Sequence, residues 1–84
     1  MYILNQNGRV LLKGDQIVNF ELLFRNDVHL WVIEAYTAQD RFYLGEFTNR
    51  SQAVEVLDEL AMALTGTNCR KLVIPANRKK EELL

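Results

Sequence analysis

The apolar pattern of this chain changes period once. Up to Phe47 the hydrophobic residues come in short runs, several of them alternating, separated by turn residues. From Arg50 to Leu64 they recur at i, i+3, i+4 and i+7. Strands first and a single helix after them define an α+β class. The sequence thus predicts an antiparallel β-meander of about five strands, packed by one C-terminal helix, with a short extra strand after it.

The turn chemistry sets the spacing. Tyr2 to Leu4 is closed by Asn5-Gln6-Asn7-Gly8, and Asn-Gly between apolar runs is the strongest short hairpin signal, since both residues tolerate positive φ. Arg9 to Lys13 reads as the returning strand and Gly14-Asp15 as the next turn. Gln16 to Phe24 alternates Val18, Phe20, Leu22 and Phe24 against Ile17, Asn19, Glu21 and Leu23. Arg25-Asn26-Asp27 turns the chain into Val28 to Tyr36, dense in β-branched and aromatic residues. Thr37 to Asp40 leads into Arg41 to Phe47, where Gly45 marks a bulge or a close approach of the helix.

The helix is the most clearly marked element. Ala53, Val56, Leu57, Leu60, Ala61 and Leu64 form its apolar face. Asn49 is placed to cap it, with Gln52 as capping-box partner and Gly66 as the C′ glycine. Leu72-Val73-Ile74, stopped by Pro75, suits a short edge strand. The domain therefore runs over residues 1–75, followed by a charged C-terminal tail at 76–84.

Composition narrows the class. The chain has 84 residues, 49% of them hydrophobic and 25% charged, which excludes a disordered polymer. A core this small leaves little net stability after the cost of ordering the chain. Val28 to Tyr36 is apolar on both faces, and one helix cannot cover both. Either the sheet curls on itself or a second copy packs against it. A homodimer or another protein partner is the expectation, with Leu30, Trp31, Val32, Ile33 and Tyr36 as the candidate protein interface.

The net charge of −1 does not indicate a globally basic nucleic-acid binder. Its distribution is uneven. Residues 1–65 carry five basic against nine acidic groups, while residues 66–84 carry five basic against two acidic. Arg70, Lys71, Arg78, Lys79 and Lys80 are accordingly the candidate nucleic-acid contacts of an alternative reading, a nucleic-acid-binding accessory or regulatory protein. One cysteine cannot form an internal disulfide, no secretory h-region follows Met1, and no apolar run approaches the ~20 residues of a membrane span. These features place the protein in the cytoplasm, away from a membrane.

Catalytic chemistry finds few groups to work with. His29 and Cys69 are the only His and the only Cys, which is too few for a structural zinc site in one chain. They are also the only Cys–His pair for nucleophilic catalysis, with no motif around either. Glu55, Asp58 and Glu59 fall on the polar helix face, and Glu34 interrupts an apolar one. The four glycines form no phosphate-binding loop. The expectation is a non-enzymatic interaction protein with no catalytic, cofactor-binding or metal-ligating residues and no cofactor.

Ile3-Leu4-Asn5-Gln6-Asn7-Gly8, Ile17-Val18-Asn19-Phe20, Ile33-Glu34-Ala35-Tyr36, Tyr43-Leu44-Gly45-Glu46-Phe47 and Ala53-Val54-Glu55-Val56-Leu57-Asp58-Glu59-Leu60 follow one another in a distinctive order. Over residues 1–64 this order resembles small uncharacterised proteins of Gram-positive bacteria and their phages or mobile elements. The resemblance implies a hairpin, a meander and a terminal helix, and a phage or prophage accessory protein. It implies no catalytic residue.

Overall fold

A computed structural model describes residues 1–66 and 70–78. In chain order the elements are β1 (Tyr2–Leu4), β2 (Leu11–Lys13), a 3-10 turn (Gly14–Gln16), β3 (Ile17–Arg25), β4 (Leu30–Thr37), β5 (Arg41–Phe47), α1 (Arg50–Thr65) and β6 (Lys71–Val73). The class is α+β, as the change of period requires. The single meander is not formed. The strands divide into two three-stranded sheets, β2-β1-β6 and β3-β4-β5.

The split has a local cause. The 3-10 turn after β2 redirects the chain, so among the described residues β2 pairs with β1 and β3 with β4. The amide of Gly14 instead donates to the carbonyl of Met1 at 2.8 Å. β6, foreseen as a short edge strand, lies parallel to β1, with Leu72 opposite Ile3. β1 thus ends up central in a sheet that joins both ends of the chain.

The two hairpins of the second sheet are regular except at two bulges. One falls at Val18, between Ile17 and Asn19 of β3. The other leaves Leu44 of β5 without a partner, between Gly45 opposite Ile33 and Tyr43 opposite Glu34. Leu44 is fully buried. The β3–β4 turn spans Asn26 to His29, so His29 sits in the turn rather than in a strand, with a left-handed φ of 54°.

α1 packs across β4 and β5. Ala53, Val56, Leu60 and Ala63 are buried along it, and Leu57 is partly buried against the core. Ala61 and Leu64, expected on that face, are exposed. Ile3, Leu12, Ile33, Ala35, Leu44, Phe47 and Ile74 complete the core beneath the helix. Gly45 lies where the layers meet most closely. A Cβ there would stand 2.9 Å from the Ile74 side chain and 3.3 Å from that of Gln6.

The helix ends differ from expectation. Asn49 takes the N-cap backbone position but makes no side-chain cap bond. Gln52 does not close a capping box. Its buried amide donates to the carbonyl of Ala76 at 3.0 Å and accepts from the amide of Arg78 at 3.0 Å. Gly66 ends the helix with φ −83°, not in a left-handed cap. In the first hairpin only Gly8 has positive φ, at 75°, so the Asn-Gly pair does not form the two-residue turn that needs positive φ twice.

Candidate protein-docking edge

The β3-β4-β5 sheet has two edges, and they are finished differently. β5 is covered. Beyond Leu4 the chain runs on beside it, and the amide of Gln6 donates to the carbonyl of Leu44 at 2.7 Å. The Gln6 side chain then mimics a paired strand. Its Oε1 accepts from the amide of Glu46 at 3.0 Å and its Nε2 donates to the carbonyl of Glu46 at 3.1 Å. It also accepts from the Tyr43 hydroxyl at 3.2 Å and donates to the carbonyl of Pro75 at 2.9 Å. Asn5, almost fully buried, donates to the carbonyl of Tyr43 at 3.1 Å. Its Oδ1 holds the amides of Arg9 and Val10, each at 3.0 Å.

β3 is the bare edge. It is nine residues long and, among the described residues, β4 is the strand paired with it. It contains no lysine and no proline, the residues that commonly blunt such an edge. Phe20 and Leu22 of its core face are partly buried, while Phe24 is 41% exposed. Leu23 on the other face is 37% exposed. Phe24 packs on Trp31 with ring centroids 4.7 Å apart, and the guanidinium of Arg50 lies 5.7 Å from the Trp31 ring. These contacts make an aromatic ledge at one end of the strand.

The outer face is acidic and aromatic. Glu21 lies directly opposite Glu34. Like charges facing across strands repel. The Tyr36 hydroxyl relieves this by donating to Glu21 at 2.8 Å, with Glu34 at 3.5 Å. That bond to Glu21 raises the Tyr36 pKa above the usual tyrosine value. Burial raises that of Tyr43.

The interface expected from sequence divides on inspection. Ile33 is fully buried and Val32 is 6% exposed, so both are spent inside the fold. The intact fold leaves them no surface with which to dock. Leu30, Trp31 and Tyr36 are partly exposed beside β3. The apolar surface on offer shifts from the central strand β4 to its neighbour. Sequence reasoning passed over Glu21, Leu22, Leu23, Phe24 and Arg25 as a site. Their signal was the length of the alternating run, but which strand lies at an edge depends on pairing.

Three of the basic candidates lie among the described residues. Arg78 is held by Glu55 at 2.9 Å, Lys71 lies on β6, and Arg70 precedes it. Lys79 and Lys80 lie outside the described residues, as does Cys69. Ala76 to Arg78, assigned by sequence to the tail, are tied to α1 through Gln52, and Asn77 accepts from the amide of Thr48 at 2.9 Å. Among the described residues no group of three or more His, Cys, Asp or Glu is placed to hold a metal ion. No helix among them is long and apolar enough to cross a membrane.

The comparisons give no relative. No family model, no curated protein and no solved structure matches the chain.

Proposed function

We propose that this chain is a non-enzymatic interaction protein that docks on protein through the open edge of β3. The carrying observation is the contrast in how the two sheet edges are finished. A chain that dresses β5 with a side-chain amide leaves the outer side of the nine-residue β3 without a strand, among the described residues, beside an aromatic ledge. An added strand would satisfy the free backbone groups of that edge, and Leu23 and Phe24 would bury against it. The role is that of a cytoplasmic accessory protein, in keeping with the resemblance of residues 1–64 to small phage and Gram-positive proteins.

The test is association of the full chain, measured by sedimentation and by affinity capture, for wild type and Leu23→Lys. Lysine at an edge discourages strand addition. The reading expects association with itself or with a captured protein, and loss of it in Leu23→Lys while circular dichroism stays native. A wild-type monomer at micromolar concentration that captures nothing overturns the reading. So does association that Leu23→Lys leaves unchanged.

A further inference from the structure

The open edge is complementary to itself in one register, and we infer that its occupant is a second copy of this chain, paired antiparallel β3 to β3 about Leu23. The inference rests on the docking reading above and adds the partner, the symmetry and the register.

Geometry limits the choices. Two antiparallel copies of one edge strand are related by a two-fold axis perpendicular to the sheet. That axis keeps both helices on the same side, so residues facing each other across the seam come from the same face. The axis must therefore pass beside one residue of β3. The bulge at Val18 breaks the strand at its start, which leaves Asn19 to Arg25 regular.

Three central registers remain, and charge separates them. Centring on Glu21 sets that carboxylate against its own copy, on a face where it already opposes Glu34. Centring on Leu22 sets Glu21 against the apolar Leu23 of the second copy. Centring on Leu23 sets Glu21 against Arg25 of the second copy, twice by symmetry, and Leu23 against itself. On the core face it sets Leu22 against the exposed Phe24, again twice. Arg25 is available for this pairing, since its bond to Asp27 at 2.9 Å is an exposed ion pair of little worth. Arg25 would also neutralise part of the Glu21–Glu34 repulsion.

The product is a continuous six-stranded antiparallel sheet, with α1 of each copy flanking the seam on one side. It would add cover to the half-buried Leu22 and the exposed Phe24, which α1 leaves short of full cover because it packs on β4 and β5. It pairs Glu21 to Arg25 of one edge with the same segment of the other, while β5 is already covered in each copy.

Sedimentation equilibrium of the full chain and a charge-swap cycle test this. Glu21→Arg places Arg against Arg at two positions, and about a tenfold rise in the dimer dissociation constant is expected. The double variant Glu21→Arg with Arg25→Glu restores the pairs in reverse and should return the constant to near wild type. Leu23→Cys, with Cys69→Ser, should form a disulfide-linked dimer faster than Leu22→Cys or Glu21→Cys in the same background. A wild-type chain that is monomeric at high micromolar concentration overturns the inference. A dimer in which the double variant stays as weak as Glu21→Arg overturns the Leu23 register. If the wild type is monomeric yet captures a protein that Leu23→Lys loses, self-pairing fails and the docking reading survives.

Discussion

The two edges of one sheet teach different lessons about how a small chain handles unpaired backbone. At β5 a buried asparagine and a half-buried glutamine finish the edge. Asn5 and Gln6 reach the carbonyl of Tyr43 and both backbone groups of Glu46. At β3 nothing comparable occurs among the described residues, and the strand is longer. The first edge is sealed by interactions within the fold. The second has no strand on its outer side among the described residues, and the proposal gives that side to a partner. Substitutions at the covered edge should therefore cost stability, and those at the bare edge should cost association.

Asn5→Ala should cost the most, about 3 kcal/mol, because two loop amides and a carbonyl lose their partner where water reaches poorly. Urea unfolding at low protein concentration measures it without the contribution of self-association. Gly45→Ala comes next at about 2 kcal/mol, since its Cβ would press on Ile74 and Gln6. The same measurement serves, and an unchanged midpoint would mean that the layers can move apart freely. Gln6→Ala should cost about 1–2 kcal/mol, less than Asn5→Ala because the site is only partly buried and water can replace some of its bonds.

The bare edge should respond differently. Leu23→Lys should shift thermal stability by no more than about 0.5 kcal/mol at a dilution where the chain is monomeric, because the side chain is exposed. A large loss there would make Leu23 a core residue and erase the contrast. The smallest effect is electrostatic. The Tyr36 phenol, held by Glu21, should ionise above the usual tyrosine value, and Glu21→Gln should bring it down in a phenolate absorbance titration. The folded state holds that proton more tightly than the unfolded one. Its contribution to stability is thus complete below about pH 10 and is lost as pH rises through the folded value.

Much of the fold was legible in the residues. The change of period separated strands from helix, the turn residues separated most strands, and a short strand formed after the helix, at Lys71–Val73 rather than 72–74. Pairing was not legible. Strands of three residues, such as β1 and β2, carry too little pattern to say which neighbour they choose. Gln52 shows the same limit at one position. Local spacing makes it a capping residue, while burial against Ala76 and Arg78 makes it a clasp for the chain end. For the site, the sequence found excess apolar surface near Trp31 but placed it on β4. Ile33 and Val32 are buried in the fold, while their neighbours Leu23 and Phe24 on β3 are exposed.

The sequence alone determined that this chain builds short strands and one amphipathic helix, because those follow from the period of apolar residues and from turn chemistry over a few positions. It also led to the expectation that so small a core leaves apolar surface in need of cover. Only the tertiary structure decided where that surface lies. The 3-10 turn at Gly14–Gln16 parts β2 from β3, β6 joins β1, and Gln6 reaches across to β5. An edge is a property of pairing between distant segments, and no local pattern in β3 records that its far side carries no strand among the described residues.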